Sequence, residues 1–252
     1  EVVAINRAIA IHVVRRRGAP SREHDAQVIA VDGPSASGKG TLSRRMAREL
    51  GYIYVDSGAM YRTLAWHCLQ RGIRLEKPMA EADEKAVIRQ LRSWKWELRV
   101  IDGQAWIHVD GYFPATEIRT DVVEKAVPVV AQIGKVRDWM VARQRDCAAL
   151  GPLVMEGRDI GTEVFPLAPV KFFLEADAAE RQRRIADRGG STDGAWRDSM
   201  DIHRKKGALI PALDSIRINN TGQTPDETFA VFMSHVRERL GSLPSPGIPK
   251  RG

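Results

Sequence analysis

Apolar positions along the chain follow two spacings that indicate an α/β protein. Short runs rich in β-branched residues predict strands at residues 27–32, 52–55, 153–156, 170–174 and 216–219. Between these runs, apolar residues recur at the three- and four-residue spacing of amphipathic helices. Because strands alternate with helical segments, the pattern favours a parallel five-stranded sheet in a three-layer fold with right-handed crossovers.

The helical segments carry recognisable start and stop signals. Residues 42–50 have helical spacing, and Gly51 follows as a typical residue after a helix end. A second helix is predicted from Ala59 onward, and residues 178–188 form an arginine-rich one. Residues 120–149 are helical in texture, with interruptions expected at Pro128 and Gly134. The final helix begins at a capping box, Thr224-Pro225-Asp226-Glu227.

One stretch does not match a doubly wound sheet. Residues 94–100 alternate between apolar and polar, Asp102-Gly103 is a typical hairpin turn, and residues 105–109 resume the alternation. A hairpin between helical segments predicts an inserted subdomain with antiparallel strands. Residues 191–211 are charged and irregular, which is typical of a mobile lid.

A phosphate-binding loop follows the first predicted strand. Its residues are Gly33, Pro34, Ser35, Ala36, Ser37, Gly38, Lys39, Gly40 and Thr41. Small residues allow backbone N–H groups to turn onto a polyphosphate, while the next helix N-terminus and Lys39 add positive charge. The hydroxyl residue comes one place late, because Gly40 separates it from Lys39. The loop predicts binding of a nucleoside triphosphate, such as ATP.

Composition narrows the classes of function. The net charge is +7, and many arginines stand singly beside Asp and Gly, a pattern that suits small phosphorylated ligands better than a nucleic acid. No apolar run approaches the ~20 residues that span a bilayer, so no membrane partner is expected. The two cysteines, Cys68 and Cys147, and the six histidines show no metal-ligand spacing. Buried, reduced cysteines and a cytoplasmic location are expected.

Charged residues cluster where the predicted strands end. Asp56, Ser57, Arg62, Arg158 and Asp159 follow strand ends, where ligands of parallel sheets bind. Each of them alone could be a turn, a helix cap or a surface ion pair. Together with the loop they predict phosphoryl transfer, which requires aligned and neutralised phosphates. Mg²⁺ is expected at Thr41 and through water, with Asp56 or Asp159 as an outer acidic partner.

Several strings resemble the bacterial cytidylate kinase family of P-loop nucleoside monophosphate kinases. They are residues 32–42, 56–62 and 157–162, Glu117-Ile118-Arg119-Thr120, Val136-Arg137, and Arg197-x-x-x-Asp201-x-x-Arg204. The likeness spans the chain from Val28 to the last helix, and the late Thr41 is typical of such kinases. It implies a P-loop core, a monophosphate-binding insertion enlarged by β-strands, and a mobile lid. It also implies phosphorylation of CMP and dCMP by ATP with Mg²⁺.

The resemblance implies a role for each matching residue. Ser57, Tyr61 and Arg62 would contact the acceptor nucleotide and its phosphate, and Asp201 its ribose. Arg119 and Arg158 would add phosphate contacts, while Arg137 and Asp159 lie near the cytosine edge. Lys39, Arg158, Arg197 and Arg204 would be catalytic, the last two closing with the lid onto the transferred group.

Three positions depart from the family pattern and leave alternatives open. Pro128 stands where a serine that helps to read cytosine is usual, Gly134 replaces a usual proline, and Lys205-Lys206-Gly207-Ala208 alters the lid. Proline offers neither a hydroxyl nor an N–H, so another acceptor nucleotide is the runner-up hypothesis. A non-catalytic nucleotide-binding module and a basic nucleic-acid protein are further alternatives.

The expected layout is a single kinase domain over residues 27–240. Its core would comprise residues 27–62, 150–180 and 212–240, with the monophosphate-binding insertion at 63–149 and the lid at 181–211. Residues 1–26 are interpreted as an extension outside the fold, and residues 241–252 as a disordered tail. Small-molecule nucleotides are the expected partners, and a monomer is the expected state.

Overall fold

The structure is a computed structural model that describes residues 25–187, 189 and 194–241. The predicted N-terminal extension, apart from its last two residues, and the predicted tail beyond Gly241 lie outside this part of the chain. The predicted layout of core, insertion and lid stays a prediction.

The described chain forms one seven-stranded sheet with the strand order β3-β4-β2-β5-β1-β6-β7. The strands are β1 (Val28–Asp32), β2 (Ile53–Asp56), β3 (Trp96–Ile101), β4 (Gln104–Val109), β5 (Leu153–Gly157), β6 (Val170–Glu175) and β7 (Ile216–Asn219). Every neighbouring pair is parallel except the β3–β4 hairpin. The α/β class and the mostly parallel sheet are therefore confirmed.

Helices surround the sheet and connect its strands. They are α1 (Lys39–Leu50), α2 (Ser57–Leu69), α3 (Glu81–Ser93), α4 (Asp121–Val130), α5 (Gly134–Asp146), α6 (Ala178–Ala186), α7 (Gly194–Ile202) and α8 (Pro225–Leu240). A short π-helix, Ile160–Val164, follows β5. Among the described helices, none combines the length and apolar character needed to cross a membrane.

The core consists of two apolar clusters. β1 is buried along its whole length, which is why residues 28–31 are apolar without alternation. On one side of the sheet Phe172 stacks on Phe232 of α8, with ring centroids 4.2 Å apart. The other cluster includes Leu64 of α2 and Met140 of α5. Helices on both sides hold the strand ends rigid, and the ligand cleft described below lies at their carboxyl edge.

The prediction of five strands required the hairpin to be separate from the central sheet. In the structure the hairpin instead forms part of that sheet. β4 pairs in parallel with β2 through Tyr54–Gln104 and Val55–Ala105, and the Tyr54 N–H donates to the Gly103 carbonyl at 2.8 Å. Unpaired backbone groups at an edge strand favour such an addition, which short-range alternation does not reveal.

Two of the predictions for the helical segments were wrong. Pro128 lies inside α4, which continues to Val130, because a proline in the last turn removes a single hydrogen bond. Gly134 begins α5. The segment predicted as irregular at 191–211 contains α7, whose inner face buries Asp198 and Asp201.

Candidate active site

The phosphate-binding loop connects the buried end of β1 to the N-terminus of α1. Gly38 has a φ of 98°, a left-handed conformation that favours glycine. Arg184 and Asn220 donate to the Ser37 carbonyl at 3.2 Å and 3.0 Å. Since C=O and N–H of a trans peptide point in opposite directions, this contact turns the Gly38 N–H away from those two side chains. The loop therefore presents backbone donors and the α1 N-terminus to one cleft.

Lys39 lies deep in this cleft and has little solvent around it. Its side chain is buried, and Nζ donates to the Pro34 carbonyl at 2.7 Å. Burial, with the positive charge of Arg158 nearby, lowers the pKa of Lys39 to about 7. A polyphosphate beside the ammonium would favour the charged form and raise that pKa again.

Binding of a nucleoside triphosphate is therefore expected to take up a proton above pH 7. The uptake should be smaller at pH 6, where free Lys39 is already charged, and affinity should fall as the pH rises through 7. Calorimetry of a non-hydrolysable ATP analogue, in buffers of different ionisation enthalpy at pH 6 and pH 8, measures this uptake. Lys39→Met is the control, because other charged groups also act on the pKa at this site, namely Asp32, Glu156, Asp198 and Arg158. Undiminished uptake in Lys39→Met would contradict the assignment.

The loop opens onto a continuous cleft of about 320 Å³. Seven cationic side chains line it: Lys39, Arg44, Arg62, Arg119, Arg158, Arg197 and Arg204. Five acidic side chains line it as well: Asp56, Glu124, Glu156, Asp159 and Asp201. The positive excess among these described residues suits a ligand with several phosphates.

Gly40 gives the Lys-Gly-Thr variant a structural reason. A Cβ at this position would stand 2.8 Å from Glu156 Oε1, so the glycine lets the loop helix approach that carboxylate. Tyr54 donates its hydroxyl to Glu156, and burial together with the charge of Asp56 raises the pKa of Glu156. Thr41 then lies exposed on the cleft.

A second group of charges faces the loop from α2, α4 and α7. Asp56 caps α2 by accepting from the Ala59 N–H at 2.8 Å and also pairs with Arg62 at 2.6 Å. Burial disfavours its ionised form, but these two donors prevail and lower the pKa of Asp56. Glu124 pairs with Arg197 at 2.6 Å and lies 3.7 Å from Arg62. These contacts hold two guanidinium groups on one side of the cleft.

A buried ion pair lies at the far end of the cleft. Arg137 is 2% exposed and pairs with Asp159, which lines the cleft, while Nη1 of Arg137 donates to the Tyr61 hydroxyl at 3.4 Å. Gly207, with φ of 63°, packs directly against this pair, and a Cβ there would overlap both side chains. The backbone after α7 therefore shares one end of the cleft with Asp159.

Asp201 of α7 holds two of the predicted catalytic arginines. Arg158 Nε donates to Asp201 at 2.8 Å, and Arg204 pairs with the other carboxylate oxygen. Burial and the neighbouring Arg137 lower the pKa of Arg204 to about 10, which leaves the group charged near neutrality. Its Nε is buried without a hydrogen-bond partner among the described groups. Arg204 therefore has donor capacity left for a ligand.

Asp32 links the loop to the arginine side. Its two carboxylate oxygens accept from the N–H groups of Ile160 and Gly161 at 2.8 Å and 2.7 Å. Burial raises the pKa of Asp32 to about 7. This contact joins the end of β1 to the π-helix that follows Arg158 and Asp159, so the two halves of the cleft share a rigid support.

Most of the predicted site residues lie in the one cleft. Those lining it are Ser35, Ala36, Gly38, Lys39, Gly40, Thr41, Ser57, Tyr61, Arg62, Arg119, Arg158, Asp159, Arg197, Asp201 and Arg204. Gly33, Pro34 and Ser37 belong to the loop without lining the cleft, and Arg137 stands behind Asp159.

Sequence reasoning missed four polar lining residues, Arg44, Tyr54, Glu124 and Glu156, and the apolar Val127 and Ala131. Glu156 ends a predicted strand immediately before Gly157-Arg158-Asp159, a signal that could have found it. Glu124 and Arg44 lie on helix faces that pattern alone assigns to solvent.

A phosphate loop and a facing set of arginines, at the carboxyl edge of a mostly parallel sheet, define the class of P-loop phosphotransferases. Comparison with known proteins narrows this class. A family model described as Cytidylate kinase matches residues 29–238, so the chain belongs to the cytidylate kinase family.

Named relatives agree with the family match. A protein named Cytidylate kinase from Geobacillus thermodenitrificans is 40% identical over 224 residues, covering 84% of this chain and 97% of its own length. A namesake from Geobacillus sp. strain WCH70 has the same identity and coverage. One from Anoxybacillus flavithermus is 38% identical, covering 84% of this chain and 96% of its own.

Proposed function

We propose that the protein phosphorylates CMP and dCMP, with ATP as the phosphoryl donor. The observation that carries this proposal is the single cleft in which the phosphate loop faces Arg62, Arg158, Arg197 and Arg204. Membership of the cytidylate kinase family supports the choice of acceptor. The roles of individual residues below belong to the same proposal.

The loop side binds the donor. Its N–H groups and Lys39 would hold the β- and γ-phosphates of ATP, and the N-terminus of α1 adds partial positive charge. Lys39 would leave the Pro34 carbonyl, 2.7 Å away, for a phosphate oxygen. Exchange of a neutral acceptor for a charged one strengthens the hydrogen bond.

The opposite side holds the acceptor. Ser57, Tyr61, Arg62 and Arg119 would bind the monophosphate, aligning one of its oxygens with the γ-phosphorus of ATP. That oxygen forms a new P–O bond while the bond from the γ-phosphorus to the β-phosphate oxygen breaks, and ADP leaves with the electron pair. Arg158, Arg197 and Arg204 would spread positive charge over the transferred group.

The residues present also fit Mg²⁺. The Thr41 hydroxyl lies on the cleft beside the loop, and the Glu156 carboxylate lies close to Gly40, so two oxygen donors of the type that Mg²⁺ uses stand at the phosphate end. Thr41 would hold the ion directly, and Glu156 through water. Asp56 and Asp159, the acidic partners expected from sequence, are paired with Arg62 and Arg137. When bound, Mg²⁺ supplies charge neutralisation at the donor phosphates.

The nucleoside of the acceptor would lie toward Asp159, Tyr61 and Pro128. Asp159, which pairs with Arg137, would accept from an exocyclic amino group, and Asp201 would accept from a ribose hydroxyl. Val127, Pro128 and Ala131 make the remaining wall apolar. Pro128 therefore favours the runner-up hypothesis, a kinase of the same class that takes another monophosphate.

A coupled assay of ADP formation with ATP and CMP, dCMP, UMP, AMP or GMP tests the proposal. The highest kcat/KM is expected with CMP or dCMP, because cytosine is the only pyrimidine base in this set that carries an exocyclic amino group. Clearly higher turnover of UMP or a purine monophosphate would overturn the acceptor assignment. ADP formation that is independent of every acceptor would overturn the transfer reaction.

Gly207→Ala is expected to raise KM for CMP about tenfold or more, with little change in KM for ATP. A Cβ there would displace the Arg137–Asp159 pair, and a residue other than glycine is strained at this φ. Steady-state kinetics with each substrate varied in turn measure the effect. Ala208→Gly next to it is the control, and equal rises in both KM values would contradict a role on the acceptor side.

The proposal extends to location and assembly. Cys68 and Cys147 are unpaired and buried, as expected in a reducing compartment such as the cytoplasm. A monomer is part of the proposal, because one chain supplies both the phosphate loop and the arginines that face it.

A further inference from the structure

Helix α7 contacts the donor and acceptor sides of the cleft with adjacent faces. Arg197 and Asp201, one turn apart, reach the acceptor side through Glu124 and Arg158. Asp198, which follows Arg197 directly, is directed instead at the phosphate loop. Asp198 is 6% exposed and takes no part in the proposed transfer reaction.

Both oxygens of the Asp198 carboxylate contact groups on the donor side. Oδ1 accepts from the Ser35 N–H at 2.9 Å, and Oδ2 pairs with Arg181 of α6. Arg181 in turn donates to the Ser35 carbonyl at 3.2 Å and to the Ala176 carbonyl at 3.1 Å. The peptide groups on both sides of Ser35 are thus hydrogen-bonded to one ion pair, of which Asp198 is buried and Arg181 is partly buried.

This arrangement restricts where the loop can stand relative to α7. If the buried Asp198 charge lost either partner, its desolvation penalty would no longer be compensated. One relative position of Asp198, Arg181 and Ser35 is therefore stabilised over others. The same helix is tied to Glu124, which also lies 3.7 Å from the acceptor-side Arg62, and to Arg158. Ligand binding that orders one face of α7 therefore also orders the other.

We infer that Asp198, with Arg181, is a positioning residue that couples acceptor binding to donor binding through the Ser35 segment of the phosphate loop. This inference rests on the proposed function, since it needs a donor and an acceptor in one cleft. By linkage, CMP should raise the affinity for ATP by the same factor as ATP raises the affinity for CMP. The expected factor for the unaltered protein is on the order of 10, within the usual range of such couplings.

The test is calorimetric titration of a non-hydrolysable ATP analogue, with Mg²⁺, in the absence and presence of saturating CMP. In Asp198→Asn the amide oxygen can still accept from Ser35, but the ion pair with Arg181 is lost. The ratio of the two dissociation constants should fall from about 10 to about 1–2, while the affinity for CMP alone changes less than about twofold. Asp198→Ala should give the same ratio, and Asp198→Asn keeps the test available if the alanine variant does not fold.

Asp187→Asn is the matched control, because Asp187 is an exposed carboxylate at the end of α6. It should leave the ratio unchanged. A ratio near 1 in the unaltered protein, or an unchanged ratio in Asp198→Asn, would overturn the inference. A merely structural Asp198 would weaken both ligands and preserve the ratio, which also overturns it. If the unaltered protein binds the analogue but no CMP, the proposed function itself fails.

Discussion

Arg204→Ala is expected to lower kcat by about 10³-fold while leaving the dissociation constant for CMP within about threefold. The Arg204 side chain is 7% exposed, is held by Asp201 and has a buried Nε without a partner among the described groups. A hydrogen bond from such a preorganised donor, shielded from water, is strengthened most when negative charge spreads over the transferred phosphoryl group. The interaction is therefore stronger in the transition state than in the ground state.

Steady-state kinetics and equilibrium titration with CMP measure the two quantities separately. Lys205→Ala removes the next, exposed cation and should change neither of them by more than about twofold. Arg204→Lys keeps the charge without the planar fork and should recover only part of kcat. Equal losses in kcat and CMP affinity in Arg204→Ala would show that Arg204 is a ground-state contact.

Lys39→Met is expected to reduce kcat/KM for ATP by about 10³-fold or more. The substitution keeps most of the length of the side chain and removes the one cation that the phosphate loop itself supplies. Lys39 is 6% exposed, so solvent cannot replace its charge on the β- and γ-phosphates. Kinetics with ATP varied at saturating CMP measure the loss.

Arg48→Met is the control for Lys39→Met, because Arg48 is an exposed cation in the last turn of α1. It should retain kcat/KM within about twofold. A loss of less than tenfold in Lys39→Met would place the donor phosphates away from the loop and contradict the proposed orientation of ATP.

The core strands and the phosphate loop were predictable because their signals are local. Residues 28–31 of β1 are all apolar since the strand is buried on both sides, and its end at Asp32 is followed at once by the glycine-rich loop. The predicted strand at 216–219 coincides with β7, and the predicted capping box at Thr224 is present. Backbone geometry and burial act over a few residues here, so short windows of sequence carry the information.

The hairpin and α4 are two features that local sequence signals did not predict correctly. The alternation that predicts β3 and β4 does not say that β4 pairs with β2, because this pairing joins residues 50 positions apart. Pro128 predicts an interruption, yet α4 continues because its buried face packs on α2. Tertiary packing outweighed the local preference.

The sequence by itself determined the class of protein: the fold, the donor loop and the family follow from strings that are contiguous in the chain. Only the tertiary structure decided which charged and polar groups pair with one another. Asp201 holds Arg158 and Arg204, Glu124 faces Arg62 and Arg197, and Asp198 reaches Ser35 across 163 positions. A buried charge is stabilised by partners a few ångströms away in space, and spacing along the chain does not specify those partners.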